Sequence, residues 1–261
     1  MKKKILYFLL IFLIFILLLF LISKSPRYTG INYSVIDKKI SNFQKINELF
    51  ERDKKYKTLV KKINNNEKNK NNKIIKTSRW VYKNINKINY DVQDDIIDSH
   101  PWTIIERRMG VEDQFSDILS VLLIYNNINS FFIDKFNGVR YSFTLFEYKK
   151  KWSLIDPYYG IYFLNKKNQF CSLKELKNKK CNIYHLEHGI VSKNLINKIF
   201  FNKNFKNMNE LQNYFQFLFE DLPSSTKINN TNIYKRGGRS YIQKPLHRLN
   251  YQIQKSLNLI N

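Results

Sequence analysis

A change in hydrophobic periodicity near the middle of the chain constrains the fold more than any other feature of the sequence. Residues 112–125 place apolar side chains at three- and four-residue spacing, which predicts an amphipathic helix. Beyond them apolar residues recur at every second position, which predicts strands at residues 128–136 and 139–148. A basic turn is predicted at 149–151, followed by a return strand at 152–155. A helix that leads into an antiparallel meander, with helices on either side, predicts an α+β fold.

Further helices are predicted on both sides of this meander. They lie at residues 35–63 (as one or two helices), 74–85, 101–109, 173–179, 195–200, 209–219 and 241–259. A spacer is expected at 25–34, polar loops at 64–73, 91–98 and 229–238, and a short strand within 158–164. The predicted domains are an anchor at 1–24, a spacer with helices at 25–73, a core at 74–165 and a basic helical region at 166–261.

The first 24 residues predict a membrane helix. Residues 5–22 are all Ile, Leu, Phe or Tyr and would form about 27 Å of helix, close to the thickness of the bilayer hydrocarbon. No small-residue cleavage site follows, because the segment ends in Leu21-Ile22-Ser23-Lys24. An uncleaved single-pass anchor is therefore favoured over a removed signal sequence.

Positive charges next to the apolar segment predict its orientation. Lys2, Lys3 and Lys4 precede it, whereas only Lys24 and Arg27 follow closely. Because the more basic flank stays in the cytoplasm, we expect a cytoplasmic N-terminus and an extracytoplasmic domain.

The net charge of +24 raises the question of a nucleic-acid partner. Only nine of the 45 basic residues are Arg, and Lys is plentiful alongside Asn, Ile, Phe and Tyr, which all have AT-rich codons. The excess of Lys is therefore explained largely by codon usage, and nucleic acid is not the expected partner. A basic surface still attracts anionic lipid or glycan phosphate.

The C-terminal region contains a cluster of Arg that codon usage does not explain. Arg236, Arg239, Lys244 and Arg248 lie close together around a Gly-Gly pair. The guanidinium group of Arg binds phosphate or carboxylate through two parallel hydrogen bonds, so the cluster is a candidate anion-binding site. A solvated basic tail, or an arm packed on acidic residues of the core, explains the same pattern.

The remaining candidate ligands suggest neither a metal site nor a cofactor. His185 and His188 are three residues apart with no third ligand, which makes a poor zinc site. The acidic residues Glu112, Asp113 and Asp117 suit the start of a helix and a solvated face. Cys171 and Cys181 either form one local bridge or remain as free thiols.

Three short motifs occur in order across the predicted helix and meander. Residues 110–116 read Gly-Val-Glu-Asp-Gln-Phe-Ser, residues 143–148 read Phe-Thr-Leu-Phe-Glu-Tyr, and residues 152–160 read Trp-Ser-Leu-Ile-Asp-Pro-Tyr-Tyr-Gly. In this order and spacing the centre of the chain resembles the transglutaminase-like superfamily, which is papain-like in fold. The resemblance covers residues 101–163, and the helix at 74–85 supports it.

That resemblance implies a Cys–His–Asp site, in which a helix N-terminus favours the thiolate and the His transfers the proton. The nucleophile position is Glu112 in this chain. The His position is Phe143, or Ser142 if the alignment slips by one residue, and only Asp156 matches. Glu112 does not replace a thiolate, because a carboxylate at a helix N-terminus is stable. The resemblance therefore implies a degenerate member that lacks the catalytic Cys and His.

Three functional hypotheses follow. The first is a membrane-anchored, catalytically silent domain that binds a protein or an anionic glycan at the cell envelope. The second is an active cysteine-type protease or acyltransferase with relocated residues, for which Cys171 and Cys181 are the available thiols. The third is a polyanion-binding protein that acts through the Arg cluster at 236–248.

Overall fold

The computed structural model describes residues 2–29, 36–88, 100–137, 139–178 and 180–192. These residues fall into two compact units, with the division inside a helix between Lys55 and Tyr56. Everything predicted beyond residue 192 lies outside the described residues, and so does the loop predicted at 91–98. The Arg cluster at 236–248 and the helices predicted at 195–200, 209–219 and 241–259 therefore remain predictions.

The first unit begins with the apolar helix. Helix α1 spans Lys2–Ile22, strands β1 (Lys24–Thr29) and β2 (Ile36–Ser41) form an antiparallel pair, and α2 (Asn42–Asn64) follows. Helix α1 is long and apolar enough to cross a membrane, although a signal sequence satisfies the same criteria. The β1–β2 pair corrects two predictions, because it lies in the expected spacer and in the first part of the segment predicted as helix from residue 35.

The second unit is an α+β domain, as predicted. Its helices are α3 (Lys70–Asn84), α4 (Pro101–Arg107), α5 (Glu112–Tyr125) and α6 (Leu173–Lys177). Its strands are β3 (Asn86–Lys87), β4 (Met109–Gly110), β5 (Ser130–Asn137), β6 (Val139–Tyr148), β7 (Lys151–Asp156), β8 (Ile161–Leu164), β9 (Asn182–His185) and β10 (Gly189–Ile190). Strands β3 and β4 form a short parallel pair.

Among the described residues, the main sheet is antiparallel and has six strands in the order β10-β9-β8-β7-β6-β5. Its centre is the meander that periodicity predicts, since β6 occupies the predicted residues and β7 returns after a turn at Lys149 and Lys150. The sequence pattern does not predict β9 and β10. Helix α3 also begins earlier than predicted, because Asn69 caps it by accepting from the backbone N–H groups of Asn71 and Asn72.

The core lies between the helices and the sheet. Helix α5 buries Phe115, Ile118 and Leu122 completely, against Ile74 of α3 and Phe146 of β6. These side chains occupy the helical spacing that predicts α5, so burial of this apolar face holds the helix on the sheet.

A buried amide network joins three helices inside this core. Asn126, at the end of α5, donates to Thr77 Oγ1 of α3 at 3.1 Å and accepts from Asn64 Nδ2 of α2 at 2.8 Å. Each buried amide group is expensive to leave without a partner, so the network fixes how the three helices align.

A disulfide bond joins Cys171 and Cys181. It links Cys171, two residues before α6, to Cys181, the residue before β9, and it decides between the two alternatives that the sequence leaves open. Neither sulfur is a free thiol in this structure.

Candidate functional site

The first turn of α5 lies against the end of the β6–β7 ladder. Glu112 Oε1 accepts the Ser142 N–H at 2.9 Å, and one helical turn later Ser116 Oγ donates to the Ser142 carbonyl oxygen at 3.0 Å. Residues four apart share a helix face, so both side chains reach the same strand residue. The helix thereby satisfies both backbone groups of Ser142.

The register explains why Ser142 needs these partners. Along a strand, the backbone N–H and C=O groups of successive residues point alternately to the two neighbouring strands. The Glu147 N–H donates to the Asn129 carbonyl oxygen on the β5 side. Thr144 and Ser142, at odd separations from Glu147, therefore direct their backbone groups towards β7. The β6–β7 pairing ends at Thr144 and Ile155, so Ser142 lies beyond the paired residues. On the other strand β7 ends at Asp156, and the next residue, Pro157, has no N–H to donate. Glu112 and Ser116 take over the missing contacts.

Phe143 faces away from this junction. Thr144 Oγ1 donates to the Ser116 carbonyl oxygen at 3.0 Å, so strand alternation places Phe143 on the opposite face of β6, where it is buried. Of the two positions that the resemblance offers for the missing imidazole, Ser142 is the one in contact with Glu112. Neither residue is a base.

Asp156 is buried at the end of β7, with 2% of its surface exposed. Its Oδ1 accepts the backbone N–H groups of Tyr158 and Tyr159 at 3.0 and 2.9 Å, which closes the turn that Pro157 begins. Burial raises the pKa of this carboxyl to about 7, while the two backbone hydrogen bonds and the Lys87 charge oppose the shift. The Asp156 side chain therefore has a structural role in the turn.

Lys87 provides a cation close to Asp156. Its Nζ lies over three tyrosine rings, 5.1 Å from the Tyr82 centroid, 4.9 Å from Tyr158 and 5.8 Å from Tyr159. The residue as a whole is exposed, but loss of water around the ammonium lowers the pKa of Lys87, and the Asp156 charge opposes that shift. An ammonium group is attracted electrostatically to the face of an aromatic ring, so the three tyrosines hold the Lys87 cation beside the buried Asp156 carboxyl.

His185, at the end of β9, is the buried imidazole of this region. Its ring packs edge-on against Tyr82 and stacks on His188, with centroid distances of 5.2 and 4.8 Å. Its Nδ1 accepts the Glu187 N–H at 3.1 Å, and its buried Nε2 makes no hydrogen bond of good geometry. Burial is the main cause that lowers the pKa of His185 to about 4, so the ring is neutral near pH 7.

Gly160 fits between His185 and Tyr82. Its backbone has φ +71°, and a Cβ at this position would lie 2.9 Å from His185 Nε2 and 2.9 Å from Tyr82 Cε2. Only glycine has both the backbone freedom and the small volume that the position requires.

The resemblance that nominates Glu112 and Asp156 does not point to Lys87, His185 or the tyrosines. The His185–His188 pair is visible in the sequence as a weak metal motif, but the structure stacks the two rings on each other. Among the described residues, no group of three or more His, Cys, Asp or Glu side chains is arranged to hold a metal ion.

A separate cleft of about 590 Å³ lies where three turns of the second unit converge. These three segments are the first turn of helix α3, the loop between α5 and β5, and the β6–β7 hairpin. Its lining is rich in amides and lysines: Asn69, Lys70, Asn71, Asn127, Asn129, Glu147, Tyr148, Lys149 and Lys150. The Glu147 carboxylate is already engaged by Asn129 Nδ2 at 2.7 Å.

No family model and no curated protein match the chain. Solved structures that are similar to it include a candidate cysteine protease from Cytophaga hutchinsonii (18% identity, 41% of this chain and 37% of that one, TM-score 0.35). A structure described as a TGase matches at 17% identity (48% of this chain, 34% of that one, TM-score 0.35). A candidate protease from Parabacteroides distasonis matches at 12% identity (55% and 29%, TM-score 0.32).

These neighbours are transglutaminase-like or cysteine-protease-like proteins, and the similarity spans between 29 and 37% of their chains. Membership of the transglutaminase-like superfamily, and the loss of its catalytic residues, remain predictions from the sequence motifs.

Proposed function

We propose that this chain is a single-pass membrane protein with a catalytically silent, transglutaminase-like domain that binds an anionic glycan or a protein at the cell envelope. The contact between Glu112 Oε1 and the Ser142 N–H carries the proposal. At the position where the resemblance expects a nucleophile, the side chain completes the backbone hydrogen bonding of a strand. It therefore has a structural role at the position where a nucleophile would need a free side chain.

The disulfide bond argues against the alternative with relocated catalytic residues. A cysteine nucleophile must be a thiolate, but Cys171 and Cys181 are bonded to each other. Asp156 is committed to the turn at Tyr158 and Tyr159, and the Nδ1 lone pair of His185 is occupied by the Glu187 N–H. These contacts support a silent domain over catalysis by relocated Cys171, Cys181, Asp156 or His185.

The cleft between the three turns favours an anionic glycan as the ligand. Lys70, Lys149 and Lys150 line it against a single carboxylate, that of Glu147. The four asparagines offer both donors and acceptors to sugar hydroxyl groups. A ligand that combines hydroxyl groups with phosphate or carboxylate matches this lining better than a neutral one.

An activity assay tests the silent-domain hypothesis. The full chain in detergent, and its Glu112→Ala and Asp156→Asn variants, are incubated with peptide libraries to measure amide hydrolysis and acyl transfer to amines. We expect no turnover above the buffer blank in any of the three, with an active transglutaminase as the positive control. Wild-type turnover that is lost in Glu112→Ala would show that the site is catalytic.

A binding assay with matched charge changes tests the ligand class. Retention on a heparin column is measured for Lys149→Gln/Lys150→Gln and for Lys166→Gln/Lys167→Gln, which removes the same charge from another exposed turn. We expect the first pair to elute at lower salt than the second. Equal elution would show that only net charge matters.

The Arg cluster requires its own variant because it belongs to the third hypothesis. Replacing Arg236, Arg239 and Arg248 together by Gln should reduce retention if that segment binds the polyanion. Retention that falls only with these three substitutions would favour the polyanion-binding tail over the cleft.

A further inference from the structure

The β1–β2 hairpin returns the chain to the end of α1. Its register pairs Lys24, just after α1, with Ser41, just before α2. Asn42, the first residue of α2, donates its backbone N–H to the Ser23 carbonyl and its Nδ2 to the Phe20 carbonyl, both at 3.0 Å. The first turn of α2 is therefore fixed to the last turn of α1.

Two exposed aromatic side chains follow immediately on α2. Phe43 is 62% exposed and Phe50 is 67% exposed, although most of the described large apolar residues outside α1 are covered. Seven residues correspond to almost two full turns, so both rings lie on one face of the helix, about 10 Å apart along its axis. An exposed pair of Phe in water is costly and calls for an apolar partner.

We infer that the exposed Phe43–Phe50 face of α2 lies on the lipid bilayer that α1 crosses. The inference rests on the membrane-spanning role of α1 in the proposed function. The C-terminal end of a membrane helix lies at the bilayer interface, and Asn42 is hydrogen-bonded to that end. Phe43 is the next residue along the chain, so its ring lies at the depth where aromatic side chains concentrate.

The charge on the same face fits a lipid headgroup layer. Lys54 is one turn beyond Phe50, is exposed, and lies within about 20° of Phe43 around the helix. A helix with aromatic side chains towards the acyl boundary and lysines towards the phosphates has the character of an interfacial segment. Continuity with α1 identifies the occupant as the same bilayer.

Spin-label accessibility on the full chain in phospholipid nanodiscs tests this inference. A single cysteine is placed at Phe43 or Phe50, and nitroxide exposure to oxygen and to a water-soluble nickel chelate is compared. The natural cysteines are in their disulfide and are not labelled. Gln44 and Glu51 provide matched controls, because they are exposed on the same two turns but about 100° around the helix.

We expect labels at 43 and 50 to lose accessibility to the nickel chelate and keep that to oxygen, whereas 44 and 51 stay accessible to both. Nickel accessibility at 43 and 50 equal to that of the controls would overturn the inference. Shielding from both reagents would also overturn it, since it indicates a protein partner.

A label at Leu13, inside α1, separates the two levels of the proposal. If position 13 behaves as lipid-buried while 43 and 50 behave as water-exposed, α1 crosses the membrane and only the interfacial assignment fails. If position 13 is accessible to the nickel chelate, the membrane helix itself is wrong and both fail.

Discussion

The Oε1 atom of Glu112 lies 2.9 Å from the Ser142 nitrogen and accepts its hydrogen, two residues before β6 begins to pair with β7 at Thr144. We expect Glu112→Ala to destabilise the fold by about 1–3 kcal/mol, because it leaves a buried backbone N–H without an acceptor. Glu112→Gln keeps an amide oxygen there and should cost less. Urea unfolding followed by tyrosine and tryptophan fluorescence measures both, and an equal loss in the two variants would argue against the hydrogen bond as the cause.

Gly160 and Gly189 form a natural pair of test sites, because both have φ +71°. Gly189→Ala meets no atom within 4 Å and should cost only the backbone strain, about 1 kcal/mol. Gly160→Ala adds contacts at 2.9 Å with His185 and Tyr82 and should cost about 1–3 kcal/mol more. Thermal unfolding of the two variants gives the comparison, and similar melting temperatures would mean that the Gly160 environment is looser than described.

The buried imidazole of His185 should make the fold sensitive to acid. Its pKa is about 4 in the folded chain, against an ordinary value of 6.5, so the unfolded chain takes up the proton first. The stability that neutral, buried His185 contributes is fully present above pH 6.5 and is lost as the pH falls towards 4. In His185→Phe, the free energy of unfolding should change less between pH 6.5 and pH 4. In His188→Phe, the fall in the free energy of unfolding over this range should persist. An unchanged acid limb in His185→Phe would assign the effect to other groups.

Titration of Asp156 should change stability in the opposite direction with pH. Burial raises its pKa from 3.8 to about 7, so the folded chain favours the protonated form and loses this contribution as the pH rises through 7. Asp156→Asn keeps an oxygen for the Tyr158 and Tyr159 N–H groups but cannot ionise. Its stability relative to wild type should therefore increase between pH 4 and pH 8, as measured by urea unfolding at each pH. A constant difference across this range would contradict the assignment.

The Lys87 ammonium should moderate the titration of Asp156. Lys87→Met keeps the stem beside Tyr82 and Tyr158 but removes the positive charge that favours the carboxylate. We expect the pKa of Asp156 to rise further in this variant, which carboxyl-carbon NMR across a pH series measures directly. The same titration midpoint in Lys87→Met and wild type would show that the two groups do not interact.

The sequence predicts the elements whose pattern is local and strong. Helix α5 and strand β6 are clear because their apolar residues repeat with periods of 3.6 and 2. The basic turn predicted at 149–151 is present but one residue shorter, since β7 already begins at Lys151. Strands β1 and β2 carry Lys, Ser, Pro and Asp, which give no alternation to detect. Strand β9 is only four residues long and contains the His185 that reads as part of a metal motif.

The candidate site is harder to predict because its contacts join residues that are distant in the sequence. The motifs nominate Glu112 and Asp156, but the partner of Glu112 is a backbone N–H, which is present at almost every residue and leaves no trace in a motif. Lys87 acts on Asp156 from the short strand β3, and His185 lies two strands away from it in the main sheet, since Ile161 of β8 pairs with both Asp156 and His185. Neither relation follows from any spacing along the chain.

The bond between Cys171 and Cys181 also provides a test of the compartment in which the chain folds. Glutathione in the cytosol keeps most protein thiols reduced, whereas spaces outside the cytoplasm let such a pair persist. A chain whose two cysteines resist alkylation until a reductant is added has matured on the oxidising side of its membrane. The mass of the alkylated protein thereby tests the proposed topology, without any reference to the charges that flank α1.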